Sequence, residues 1–494
     1  MWLTQLLERN RQCRPGRTAL VDEERSVTWA EFHDRTLELA RGLAELGIER
    51  GDRVAVLSKD RIEVLESYFA LARLGALFVP LNHSLAEPEV AGIIERVGAV
   101  AVIGESELLD RHPELPASVR IRLALDKPAF EALGTLAAER DLPEVADTDP
   151  IAVLHTSATT GQAKGVTVDS GSFRAIALGW LVMARPTDDI VMVNCCPLYH
   201  GSMVVSLTYL AAGATVVLMP GFTPQRALTA VERHRATHMW LVPQMLRFML
   251  QAKASHRTDL SCLREILYGA APMPLDVYAD AVERLGCGFR QVYGMTEVGG
   301  PFVTLGPDEH PAPGDVTARI PCGRVVPGMS ARAVDGGGRE LPPGEIGEIV
   351  VRGPGVMRGY WNDPQATREI TLDGWIRTGD LGFMDDEGRI SLVDRTKDVI
   401  IRAGQNVYPS EIERALLTHP AVRDAAVVGM PDEDYGEVPL AYVVPEPGAD
   451  PGVAALLRHV KGLLAPYKWP RRVEFIEQVP RNPAGKIVKK LLRA

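Results

Sequence analysis

The 494-residue chain has no apolar run long enough to cross a bilayer as a helix. Its best candidate, Leu207 to Pro220, contains Thr208, Tyr209 and several small residues, and reads as buried strand and turn. The amino terminus, Met1-Trp2-Leu3-Thr4-Gln5-Leu6-Leu7-Glu8-Arg9, turns charged before a signal-peptide core could form, so the expected location is cytoplasmic. Lys and Arg total 54 against 64 Asp and Glu, a net charge of -10, and this lack of basic excess argues against nucleic acid as a partner. The 6 cysteines show no metal or redox spacing. The adjacent Cys195-Cys196 sits in an apolar strand-like run and reads as two buried, inert thiols. No internal repeat or low-complexity segment is evident. What remains is a chain near globular averages, 46% hydrophobic and 24% charged, and longer than one core usually supports, so two or more domains are expected.

The first third alternates helical and strand patterns. Glu31 to Leu46 has helical apolar spacing and stops at Gly47; the strand-like Arg53-Val54-Ala55-Val56-Leu57 follows. Glu63 to Leu74 reads as a helix ending at Gly75, before the apolar Ala76 to Pro80. The rhythm returns as strand Ala214 to Met219, helix Pro224 to His234, strand His238 to Val242, helix Gln244 to Ala252, strand Glu265 to Tyr268 and helix Leu275 to Leu285. That alternation indicates parallel sheet with crossover helices. From Gly323 to Val351 short alternating strands with Gly and Pro turns suggest a small antiparallel barrel or sheet. Beyond Asp394 the pattern gives a helix from Pro409 to Leu417, strands Val422 to Gly429 and Ala441 to Pro445, and a helix from Val453 to Leu464. The expected fold class is therefore α/β: a large domain over residues 1–394, with mixed sheets, crossover helices and a small antiparallel barrel, and a smaller α/β domain over 395–494.

The most informative segment is Thr156 to Val168, TSATTGQAKGVTV, which packs five hydroxyls, two glycines and a lysine behind the apolar Ile151-Ala152-Val153-Leu154. Hydroxyls, bare backbone N–H groups and an ammonium suit a triphosphate. Ser/Thr/Gly clusters are also ordinary loops. The segment is not a Walker loop, because Gly165 follows Lys164 where that motif requires Ser or Thr. Further along come Val292-Tyr293-Gly294-Met295-Thr296-Glu297, Arg377-Thr378-Gly379-Asp380, Val393-Asp394-Arg395-Thr396-Lys397-Asp398, Arg402-Ala403-Gly404-Gln405-Asn406 and Pro480-Arg481-Asn482-Pro483-Ala484-Gly485-Lys486.

In that order, and together with Leu74-Gly75-Ala76 and Val79-Pro80-Leu81-Asn82, these motifs resemble the adenylate-forming superfamily of acyl-CoA synthetases, luciferases and peptide-synthetase adenylation domains over nearly the whole chain. The resemblance implies ATP, Mg2+ and CoA as cofactors and a mobile carboxy-terminal domain acting as a lid. It implies that Thr156, Ser157, Thr159, Thr160, Gly161 and Lys164 hold the β and γ phosphates, and that Gly269, Ala270, Ala271, Tyr293 and Gly294 line the nucleotide, Tyr293 giving adenine a flat face. By the same resemblance Thr296 donates to the α-phosphate, Glu297 is the magnesium ligand, Asp380 accepts the ribose hydroxyls and Arg395 supports that sugar. Lys486 is then the catalytic lysine bridging carboxylate and α-phosphate, although a lysine before the basic Lys489, Lys490 and Arg493 is otherwise ordinary solvated tail. Lys397 falls at the swivel position, a hinge, and Gly404 on the pantetheine tunnel. Ala158 and Ala163 depart from the family's usual glycine and proline.

For the acyl pocket the resemblance points to Tyr199, His200, Tyr268, Gly269, Met295 and Gly299. Relatives that load amino acids place an aspartate where this chain has His200, so a simple carboxylic acid is expected. The small apolar lining suits an aryl, alicyclic or fatty acyl group held by burial, at ~25 cal/mol per Å². No arginine stands out for a second carboxylate. The expected activity is an ATP-dependent acid:CoA ligase. The alternative hands the acyl group to a carrier protein, which would act in trans because no carrier domain follows Ala494. A nucleotide-binding regulator and a luciferase-like oxygenase are further alternatives, and a homodimer is an open assembly state.

Overall fold

The computed structural model describes residues 1–136, 141–156, 164–199, 201–313, 315, 319–481 and 487–493. The chain forms two compact units, one of Met1–Ser330 with Arg352–Ile376, the other of Ala331–Val351 with Arg377–Ala494.

The first unit is built on two sheets. Among the described residues one has nine strands, running Arg324–Val325, Gly300–Leu305, Gly288–Met295, Glu265–Gly269, His238–Leu241, Val191–Asn194, Thr215–Leu218, Thr18–Val21 and Ser26–Thr28. Its central strands pair in parallel, connected by the helices Pro224–His234, Pro243–Gln251 and Leu275–Leu285. The other sheet has seven, running Gly359–Tyr360, Gly165–Asp169, Pro150–His155, Leu77–Leu81, Arg53–Leu57, Ala101–Gly104 and Ile121–Ala124. These strands are apolar on both faces, as Val54 to Leu57 and Leu77 to Val79 illustrate, because helices cover both sides.

Local chemistry sets the element ends. The helix Trp29–Glu45 begins at a capping box in which the Glu31 backbone N–H donates to the Thr28 hydroxyl while the Glu31 carboxylate accepts from the Thr28 N–H at 2.7 Å. Ile62–Leu74 ends at Gly75, whose φ of 69° is left-handed. That helix docks through Phe69 and Tyr68, edge-on to Phe32 and Phe78 with ring centroids 5.3 and 5.1 Å apart. Each such ring contributes roughly 1.5–3 kcal/mol by burial and its edge-to-face contact about 0.5–1.5 kcal/mol more.

The sequence reading of Leu207 to Pro220 is corrected here. Leu207 to Ala212 closes the helix Ser202–Ala212, and only Thr215–Leu218 is strand. A short apolar run buried on every side carries no periodicity that separates helix from strand, and Ser202 to Leu210 are all buried. Among the described residues no helix is long and apolar enough to cross a membrane. Cys195 and Cys196 are buried directly after Val191–Asn194, and burial pushes the Cys195 thiol up to about 12.

Most of an antiparallel half-barrel falls in the second unit, its strands Ser330–Val334, Gly347–Arg352 and Trp375–Met384 starting or ending at the unit boundary and Ile390–Arg395 lying wholly within it. The second unit also holds a sheet ordered Gln405–Val407, Ile400–Arg402, Gly436–Pro445 and Val422–Asp432, with Arg472–Phe475 pairing in parallel to Gly436–Pro445. The helices Pro409–Leu417 and Val453–Leu463 bury Ile412, Leu416, Leu456 and Val460 against it.

Candidate active site

Strand Pro150–His155 delivers the chain to Thr156, and Gly165–Asp169 carries it away in antiparallel pairing. The Thr156 N–H donates to the Lys164 carbonyl at 3.1 Å, closing the neck of the hydroxyl-rich segment. Ser157, Ala158, Thr159, Thr160, Gly161 and Ala163 lie outside the described residues, as do His200 and Lys486. Gly165 explains the departure from the Walker pattern: a Cβ there would sit 2.8 Å from Val153 Cγ1 and 3.3 Å from His155 Nε2, so a Ser or Thr would collide with the sheet. Burial drives the His155 imidazole down to about 4, so it is neutral at physiological pH.

Lys164 lies with Nζ 4.9 Å above the Tyr360 ring. The Tyr360 hydroxyl donates to Glu297 Oε1 at 2.8 Å. Burial and then the adjacent Glu297 carboxylate hold that phenol well above its ordinary range, so it stays a donor. Tyr360 was not among the sequence-derived site residues. Its strand has two residues, and its only trace in the sequence is an aromatic pair, Tyr360-Trp361, after Gly359. Strand pairing of Tyr360 with Val166, and the bond from the Trp361 N–H to the Gly165 carbonyl at 2.7 Å, bring it to the lysine.

Thr296 and Glu297 occupy a short 3-10 turn, Thr296–Val298, where the chain leaves strand Gly288–Met295 and doubles back as Gly300–Leu305. The tightness of this reversal fixes Gly294: a Cβ there would lie 2.2 Å from the Gly300 carbonyl oxygen and 2.4 Å from Pro301 Cα. Tyr293 packs its ring at 5.2 Å from Phe302. Ala270 holds a left-handed φ of 66° at the end of strand Glu265–Gly269, a strained conformation of the kind that marks binding loops. Tyr268 is fully buried, its hydroxyl donating to Gln291 at 3.1 Å with His310 Nε2 at 2.9 Å. Tyr199 is also buried, edge-on to His83. Met295 is half-buried, and Gly299 has a φ of 69°.

In the second unit Asp380 and Arg395 face each other in register across two antiparallel strands, Arg395 Nε 3.2 Å from Asp380 Oδ1. Asp380 is 7% exposed. Thr378 braces the turn: its hydroxyl donates to the Ile349 carbonyl at 2.7 Å and accepts from the Asp380 N–H at 3.1 Å. Glu348 adds an ion pair to Arg377 and accepts from the Gly379 N–H. Lys397 lies in the 3-10 turn Thr396–Asp398, its ammonium held below the usual range by burial and by Arg395. Gly404 has a φ of 80° at the tip between Ile400–Arg402 and Gln405–Val407. Among the described residues near Lys486, Arg481 bridges to Ile487 and pairs with Asp424 at 2.8 Å, and Lys489 pairs with Glu413 at 2.8 Å.

A buried carboxylate with one oxygen bonded to a phenol, in a site where no three His, Cys, Asp or Glu gather among the described residues, suits Mg2+. Such an ion takes one or two protein carboxylates and completes its shell with substrate phosphates and water. Glu297 would hold it, and when bound it would neutralise triphosphate charge. The first unit supplies an ammonium at Lys164 and a carboxylate at Glu297, groups suited to phosphate and its counter-ion, and the second unit separately supplies the Asp380–Arg395 carboxylate–guanidinium pair.

Fold and side-chain chemistry thus describe an α/β protein of two units whose groups suit a phosphate-bearing ligand. The AMP-binding enzyme family matches residues 7–361 and the AMP-binding enzyme C-terminal domain matches residues 411–486, so the chain belongs to the AMP-binding, adenylate-forming enzymes. It is 36% identical to the fatty acid–[acyl-carrier-protein] ligase ScoC of Streptomyces coeruleorubidus, covering 99% of this chain and 96% of that protein. It is 37% identical to a feruloyl-CoA synthase of an Amycolatopsis species, covering 97% and 96%. The crystal structure of ATP-bound MatB from Rhodopseudomonas palustris superposes with a TM-score of 0.91 at 31% identity, covering 99% and 98%.

Proposed function

We propose that this chain is an ATP-dependent carboxylic acid:CoA ligase. A carboxylate attacks the α-phosphorus, the bond to the β-phosphate oxygen breaks, and pyrophosphate leaves an acyl adenylate; a thiolate then displaces AMP to give the thioester. The observation that carries this reading is the chain-long membership of the adenylate-forming family together with retention of Lys164, Glu297, Asp380 and Lys486.

In this reading Lys164 neutralises the outer phosphates and Glu297 would hold Mg2+. Thr296 donates to the α-phosphate, and Asp380 accepts from the ribose while Arg395 steadies it. Lys486 bridges the acyl carboxylate and the α-phosphate, where negative charge accumulates as the bond forms. The C-terminal lid begins at residue 395, swivels at Lys397, and brings Gly404 to the pantetheine path. Tyr199, His200, Tyr268, Gly269, Met295 and Gly299 line the acyl pocket. The relative ScoC favours a second reading, in which a carrier-protein thiol, supplied in trans, replaces CoA. A cytoplasmic enzyme, monomeric or homodimeric, accords with both.

The test is incubation with ATP, Mg2+, a panel of aryl, alicyclic and fatty acids, and either CoA or a phosphopantetheinylated carrier. Acid-dependent pyrophosphate and AMP with acyl-CoA by mass is the expected result. Thioester on the carrier alone establishes the second reading, and no pyrophosphate with any acid overturns both.

A further inference from the structure

We propose that Tyr360 is a positioning residue that keeps the phosphate-binding ammonium and the metal-binding carboxylate apart and correctly aimed before nucleotide binds. The inference rests on the adenylating reading above. Lys164 and Glu297 carry opposite charges in one half-buried region, and a direct ion pair between them would occupy both. Such a pair would be favoured by Coulomb attraction in this partly desolvated setting. Tyr360 takes the two charges on different parts of one side chain. Its ring face receives the ammonium, Nζ 4.9 Å from the centroid, and its hydroxyl donates to Glu297 Oε1 at 2.8 Å. A partly desolvated cation–π contact and a hydrogen bond to a carboxylate together compete with collapse into a direct ion pair.

The backbone fixes this spacer from both sides. Tyr360 pairs with Val166 and the Trp361 N–H donates to the Gly165 carbonyl, tying the ring to the lysine's strand. Three residues before Tyr360, the Met357 N–H donates to the Glu297 carbonyl at 2.9 Å, tying the same segment to the turn that bears the carboxylate. The segment Met357 to Trp361 is therefore bonded to both motifs. Orientation of a metal-binding carboxylate by such a hydrogen bond ordinarily affects metal affinity 10- to 100-fold.

Two variants separate the ring from the hydroxyl. Tyr360→Phe keeps the ring and loses the donor; Tyr360→Leu loses both. The probes are Mn2+, titrated by electron paramagnetic resonance on the full-length protein with a non-hydrolysable ATP analogue, and the same analogue titrated calorimetrically in EDTA. For Tyr360→Phe the Mn2+ Kd should rise about tenfold while metal-free analogue binding stays within about twofold. Tyr360→Leu should weaken both. In a Glu297→Gln background, Tyr360→Phe should change Mn2+ binding no further. An unchanged Mn2+ Kd in Tyr360→Phe overturns the proposal, as does a further loss of the same size in the Glu297→Gln background. Wild-type protein that binds neither analogue nor Mn2+ and releases no pyrophosphate undoes the adenylating reading itself, a distinct result.

Discussion

Replacing Asp380 by asparagine changes one buried acceptor and leaves its frame intact. Asp380 is 7% exposed, sits in register opposite Arg395, and takes its turn geometry from the Thr378 hydroxyl and the Ile349 carbonyl, none of which depends on its charge. The lost ion pair to Arg395 is at an arginine 42% exposed, so its loss costs roughly 0–1 kcal/mol of stability. Nucleotide binding should suffer more. A carboxylate accepts from both ribose hydroxyls with two oxygens, whereas the amide has one acceptor, so one charge-assisted bond of about 1.5–3 kcal/mol disappears. At 1.36 kcal/mol per tenfold this predicts an ATP KM raised about ten- to a hundredfold. Pyrophosphate release measured against ATP and against 2′,3′-dideoxy-ATP isolates the contact. The wild type should prefer ATP strongly, and Asp380→Asn should lose most of that preference. A variant that still discriminates between the two nucleotides as the wild type does would refute the ribose assignment.

Burial raises the Asp60 carboxyl from 3.8 to about 8, with the Leu198 N–H donating to it at 2.9 Å. The unfolded chain releases this proton near 4 and the folded chain holds it to about 8, so the folded state binds more protons and this group's contribution to stability falls as pH rises through that window. Asp60→Asn keeps an acceptor for Leu198 and should be more stable than wild type at pH 8 but not at pH 4, as read by urea midpoints; an equal difference at both would contradict it. Gly294→Ala should place a methyl within 2.4 Å of Pro301 Cα and lower Tm by several degrees, with loss of nucleotide binding. An unchanged calorimetric Tm would show that the reversal is looser than described.

Much of the fold is legible because its elements carry their own ends. Pro224–His234, Leu275–Leu285 and Pro409–Leu417 match the sequence reading residue for residue, each with Pro or Gly marking a boundary. Leu207 to Ala212 is misread because a helix buried on all faces lacks a polar stripe. The candidate site residues are named through family order alone, and the reason Gly165 replaces a hydroxyl residue is not legible, since it depends on Val153 and His155 across the sheet. Tyr360 is invisible for a similar reason. It is 196 positions from Lys164 and meets it only through a two-residue strand added to a sheet edge.

The most direct test of the account is Lys486→Ala assayed in separate half-reactions. Acid-dependent pyrophosphate release from ATP should fall by orders of magnitude, while thioester formation from supplied acyl adenylate and CoA should proceed near the wild-type rate. Equal loss in both, or pyrophosphate release that survives the substitution, would contradict a lysine delivered by the C-terminal residues to the adenylation step.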